Sequence, residues 1–133
     1  MTQPAGGPQA WGTIGATLAG AAVALGAFGA HALDGVLSPS RLETFETAVR
    51  YQFLHALALL VLHHARLAGT MADAAAARVG MTLVAGTAVF SGALYALVAT
   101  DVGAFGAIAP IGGGLLILGW AQWAWSARPR RPG

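Results

Sequence analysis

The chain has no cysteine and no lysine, and charge of either sign is scarce: seven arginines and five acidic residues, 9% of the sequence. Without cysteine there is no disulfide, no thiolate nucleophile and no cysteine-held iron–sulfur cluster, and the redox compartment leaves no mark. Soluble domains carry roughly a quarter charged residues, so this chain needs a solvent other than water. Three of the seven arginines fall in the closing "RPRRPG", which suits a membrane-anchoring flank better than a nucleic-acid contact. No nucleic-acid partner is expected, and a length of 133 residues suits one domain.

Apolar residues fill the space that charge leaves: 56% of the chain is hydrophobic and its mean hydropathy is +0.66. Crossing a bilayer takes roughly 20 apolar residues of helix. Four stretches qualify, at 11–33, 51–67, 79–99 and 102–127; the acidic residues fall between them, and every arginine but Arg66 falls between or after them. "AHA" at 30–32 resembles a signal-peptide cleavage site. No basic residue precedes that first run, however, and it is longer than a signal core, so it is read as a span. The expected fold is an all-α, integral membrane four-helix bundle in one domain.

The connections predict how the helices start and stop. Ser40 with Glu43 three residues later has the form of a capping box. It would open an amphipathic segment, 40–50, lying at the interface and leading into helix two. Glu46 and Arg50, four apart, are expected to pair. Gly69 should stop helix two, Asp73 should cap helix three, and Asp101 marks a tight turn. Counting arginines places Arg66, Arg78, Arg128, Arg130 and Arg131 on one side and Arg41 and Arg50 on the other, which favours cytoplasmic termini. Trp11, Trp120, Trp123 and Trp125 fall near that same inner boundary, and His63 and His64 read as interfacial residues beside Arg66.

Nineteen glycines would weaken water-soluble helices, but in lipid the backbone has no alternative partner and small residues permit close approach. Ala16, Gly20 and Ala24 recur at spacing four on helix one, with Ala22, Gly26 and Ala30 beside them; helix three offers Ala88, Gly92 and Ala96. These faces predict self-association or docking to another membrane protein. Helix four carries "APIGGG", where Pro110 removes a backbone donor and Gly112, Gly113 and Gly114 follow. A kink there is expected, either as a packing feature or as a binding site of the kind broken transporter helices form.

Seven polar side chains are placed in the outer half of the bundle: His31, Arg50, Gln52, His55, Thr87, Ser91 and Tyr95. Arg50 and His55 are 140° apart around their helix and cannot face one target. His55 is expected to turn inward as a neutral imidazole with a hydroxyl or carbonyl partner. The cluster reads chiefly as a packing and orientation device. A polar path for protons or a small solute is the alternative, and axial haem ligation by His31 and His55 is a third. No metal site or resident cofactor is expected. Ser91 in "FSGAL" lacks the strand-turn-helix of a nucleophile elbow and no carboxylate pair lies within a span, so no catalytic residue is assigned.

"GAFGAHAL" at 26–33, "TAVRYQFLHALALL" at 47–60, "FSGALYAL" at 90–97 and "APIGGGLLILGW" at 109–120 resemble the domain of unknown function 423 family. Those are small four-span membrane proteins of bacteria, with a relative called transmembrane protein 256. The resemblance runs from about Trp11 to Trp123. It implies a four-helix membrane fold in the bacterial inner membrane, and brings no activity that could be carried over to a residue.

Overall fold

The computed structural model describes residues 10–129; Arg130 and Arg131, counted above on the inner side, lie outside the described residues. Four helices follow one another: α1 (Ala10–Phe28), α2 (Pro39–Leu67), α3 (Asp73–Thr100) and α4 (Ala104–Ser126). A π-helical turn, Gly29–Leu33, extends α1. All four are long and apolar enough to cross a membrane. Each packs on the next in chain order, and no comparable interface joins α1 to α4. Four antiparallel helices bring the start of α1 and the end of α4 to the same end of the bundle, beside the α2–α3 turn.

Large apolar side chains point outward from every helix. Val23, Val61, Met81 and Ile117 are all more than half exposed, which hydrocarbon accepts and water would penalise. The inward faces build one apolar core, centred on Leu59, Leu62, Val79, Leu83 and Leu116, with Trp11 and Trp123 packed against it. That core occupies the half of the bundle nearest the α2–α3 turn.

Glycine sets how closely the helices approach. A Cβ on Gly86 would lie 2.9 Å from the backbone nitrogen of Leu116, and one on Gly119 would lie 2.6 Å from the Leu83 side chain. At Gly112 a Cβ would run into the backbone of Phe90. Gly86 of α3 and Gly112 of α4 therefore each face the other helix's backbone, the contact that small residues permit in lipid. α4 continues as a helix through Pro110, which is exposed, and Gly114 is also exposed with nothing near it.

The turns differ from expectation in instructive ways. Ser38, not Ser40, caps α2: the Arg41 N–H donates to Ser38 Oγ at 3.4 Å, and Pro39 takes the first helical position. Proline there lacks only a donor the helix could not use. The third helical position is consequently Arg41, so Glu43 closes no capping box. Gly69 ends α2 as expected, with a φ of +72°. Its N–H bonds the Arg66 carbonyl and the Thr70 N–H bonds that of Ala65, each at 3.0 Å, the pattern of a Schellman motif. Ala72 precedes α3 without a side-chain cap, because Asp73 is already helical and accepts instead from Arg66 Nε at 2.8 Å. That is the ion pair of the described residues. Glu46 and Arg50 do not pair; both are exposed, and an exposed pair gains little that would hold two long side chains together.

Gly112→Ala should destabilise the bundle by about 1–3 kcal/mol, the usual range for overpacking. Gly114→Ala should be neutral or stabilising by up to about 1 kcal/mol, since only helix propensity changes. Unfolding both variants in mild detergent checks this; equal effects would mean that α3 and α4 do not meet through Gly112.

Candidate functional site

The polar residues of α2 and α3 meet along the half of the bundle that the apolar core leaves free. Gln52 is at the centre, 6% exposed. Its Nε2 donates to the Leu18 carbonyl of α1 at 2.9 Å, and its Oε1 accepts from the Tyr95 hydroxyl of α3 at 2.8 Å. One side chain thus ties three helices. One turn from Gln52 towards the start of α2, Ser91 donates to the Ala48 carbonyl at 2.7 Å. Both carbonyls also serve their own helices, and a carbonyl oxygen has two lone pairs for the purpose. Thr87 returns its hydroxyl to Leu83 in its own helix at 2.8 Å. The Phe45 ring closes this side, tilted on Tyr95 with centroids 5.6 Å apart.

His55 is 5% exposed and uses both ring nitrogens. The Trp120 indole N–H donates to His55 Nε2 at 3.0 Å, and His55 Nδ1 is 2.7 Å from the Tyr51 carbonyl. Indole nitrogen is a donor only, so Nε2 must accept and the proton must sit on Nδ1, donating to Tyr51. The bond network therefore specifies a neutral imidazole in one tautomer. Tyr51 stacks beside it at 6.0 Å and tilts over Phe90 at 4.5 Å, joining α2 to α3 by an aromatic contact as well.

Five of the seven expected residues are thus brought together, in two adjoining groups: Gln52, Tyr95, Ser91 and Thr87, and then His55. His31 is exposed in the π-helical turn, and Arg50 is exposed on the opposite flank of α2. Gly29 touches the Phe45 ring, which sets the depth of His31's turn. His55 lies ten residues further along α2 than Phe45, about 15 Å by helical rise. His31 and His55 are therefore too far apart in depth to face one iron, and the unprotonated nitrogen of His55 is already engaged by Trp120.

Two partners escape the sequence reading. Composition places Trp120 in the interfacial belt, yet it turns its N–H to the middle of α2; a contact 65 residues away in sequence leaves no local signal. Arg41 reaches the Val98 carbonyl of α3, satisfying an acceptor among the last carbonyls of that helix, which have no intrahelical partner. A cavity of about 200 Å³ lies between α1 and α3, lined by Leu18, Gln52, Thr87, Ser91, Gly92 and Tyr95. It borders the Gln52 group and not the space between the two histidines.

If Trp120 and His55 are each other's partners, their substitutions should not add. Trp120→Phe and His55→Leu should each destabilise the protein, with a coupling of about 0.6–1.7 kcal/mol in the double variant, the range for polar contacts between membrane helices. A double-mutant cycle in detergent or bicelles gives the number; strict additivity would remove the bond from the account.

Comparison with known proteins places this arrangement. Residues 25–113 match the family described as protein of unknown function (DUF423). A UPF0382 membrane protein of Staphylococcus aureus (strain bovine RF122) is 43% identical over 110 residues, covering 80% of this chain and 85% of the relative. The UPF0382 membrane protein of Staphylococcus epidermidis (strain ATCC 35984) is 44% identical over the same length and coverage. The UPF0382 membrane protein YwdK of Bacillus subtilis (strain 168) is 41% identical over 108 residues, 80% of this chain and 86% of the relative. No solved structure matches the chain. The matched region takes in the π-helical turn, all of α2 and α3, and the Gly112 contact of α4, and the chain belongs to the DUF423 family of multi-pass membrane proteins.

Proposed function

We propose that this protein is a non-enzymatic assembly component of the bacterial inner membrane, self-associating through its small-residue helix faces, with both termini cytoplasmic. The observation that carries the reading is the uncovered state of those faces. Ala16, Gly20 and Ala24 are all exposed on the side of α1 turned away from α2, and Ala88 and Gly92 are exposed on α3. A Cβ on Gly20 or Gly92 would meet nothing within 4 Å, unlike the glycines that serve the bundle itself. Small residues at spacing four let a second helix approach closely in lipid, where dispersion and weak polar contacts drive association.

The polar groups support the same reading by what they are already doing. Gln52, Ser91, Thr87, Tyr95 and His55 each have a hydrogen-bond partner within the bundle, so they orient helices and present a rigid surface. The arginine count supports the orientation: Arg66, Arg78 and Arg128 sit at the end of the bundle where the described chain begins and ends, with Trp11, Trp123 and Trp125.

Gly20→Leu and Gly92→Leu test assembly, and the first separates it from folding. Each should lower the oligomer fraction in mild detergent or in lipid nanodiscs; Gly20→Leu should also leave the isolated protomer's unfolding midpoint unchanged, whereas the leucine at position 92 enters the cavity beside Leu18, Gln52 and Tyr95 and is read by oligomer size alone. Light scattering of the solubilised protein, read beside a thermal melt, is the measurement. A wild-type protein that is monomeric under all these conditions, or variants that keep the wild-type size, would reject self-association.

A further inference from the structure

The outer flank of the α1–α2 pair carries a groove of about 360 Å³ that the polar network does not use. Ala22, Val23, Gly26, Val49 and Phe53 give it apolar walls, and Glu46 and Arg50 stand at its side. Gly26 leaves its wall bare: a Cβ there would meet only Val49, at 3.5 Å. Glu46 and Arg50 are exposed, and neither makes an ion pair or a side-chain hydrogen bond among the described residues. On an interfacial segment of α2 these two exposed charges are within reach of lipid headgroups as well as water.

The order of these groups along α2 identifies the headgroup that fits them. Glu46 is nearer the end of the span, Arg50 is one turn deeper, and Phe53 is about one turn deeper again. Helical side chains lean towards the helix N-terminus, which for α2 is the membrane surface, so both charged heads are carried towards the headgroup layer. From the surface inward the groove therefore offers an anion, a cation and an apolar trough. A zwitterionic aminophospholipid presents the complementary sequence: a primary ammonium outermost, then a phosphate, then acyl chains. The geometry points to a phosphatidylethanolamine-type lipid seated in this groove, with its ammonium on Glu46, its phosphate on Arg50 and one acyl chain between α1 and α2.

The contacts are those the two side chains make best. A guanidinium holds a phosphate through two parallel N–H···O bonds, and a primary ammonium can donate to a carboxylate. An anionic lipid without an amine would satisfy Arg50 but place its headgroup against Glu46. The site goes beyond self-association and centres on a different side of α1: Ala22 and Gly26 lie away from the face of Ala16, Gly20 and Ala24, with Val23 between the two.

Native mass spectrometry of the full chain, with phosphatidylethanolamine and phosphatidylglycerol of matched acyl chains, tests the proposal. The wild type should retain the amine-bearing lipid about tenfold more tightly, a difference of one strong contact. Glu46→Gln should erase the preference by letting phosphatidylglycerol bind as well, and Arg50→Gln should weaken both lipids. Exchanging the two charges, Glu46→Arg with Arg50→Glu, keeps the composition but inverts the order and should lose the preference. All these positions are on the outer surface, and a thermal melt of each variant shows that it is folded. Equal retention of the two lipids by the wild type, or a preference that survives Glu46→Gln, overturns the assignment. Because the chain has no cysteine, Phe53→Cys on α2 offers one reactive position in the groove; rapid disulfide dimerisation there in a bilayer would give the groove to a second copy and also overturn it.

Discussion

In hydrocarbon a polar group that finds no partner inside the protein finds none at all, and that constraint shapes the four helices and the polar cluster between them. The backbone answers it with four helices, each satisfying its own N–H and C=O groups. The side chains answer it locally. Serine and threonine return their hydroxyls to carbonyls one turn back or on a neighbouring helix, and Gln52 spends both ends of its amide on two different partners. What remains is a bundle whose specificity comes from a few hydrogen bonds and whose cohesion comes from close packing.

Those two roles divide the protein lengthwise. Towards the α2–α3 turn, Leu59, Leu62, Val79 and Leu83 form a fully buried apolar core, with the Trp11 indole packed against it and its N–H buried without a partner. Towards the other end, Gln52, Ser91 and Tyr95 replace it. Apolar packing alone would allow helices to slide or rotate, because lipid is as good a neighbour as leucine. A hydrogen bond of defined geometry does not allow that. The bond from Ser91 to Ala48 fixes α3 against α2, and the amide of Gln52 fixes α1 to both. His55 stands where the two regions meet, and with Trp120 it adds α4 to the same set.

The fold was legible because the solvent was. Few charges, long apolar stretches and tight connections lead to four spans without any contact being known, and Gly69 marks its helix end because a positive φ is a local demand. The polar cluster was half legible: spacing puts Thr87, Ser91 and Tyr95 on one stripe and buries Gln52 with His55, but their partners are carbonyls, and a carbonyl has no sequence. Trp120 shows the other limit. An indole suits the interface by composition, and only the α3–α4 contact reveals that this one points at a histidine. Caps failed for a smaller reason. Ser38 and Ser40 are equal candidates until the fixed φ of Pro39 is given its weight, and Asp73 reads as a cap until Arg66 claims it across the turn.

Glycine carries the last step of the argument, because the same residue means opposite things on opposite faces. Gly86, Gly112 and Gly119 are placed where a neighbouring backbone or leucine has moved in, so each is already used by the fold. Gly20 and Gly92 are placed where nothing has moved in, and a bare glycine facing lipid has lost both side-chain packing and helix propensity. Such a residue stabilises nothing within the protomer. A second surface that came close enough would use the missing side chain, which is why self-association is proposed at the unfilled glycines of α1 and α3 and not at the buried polar groups.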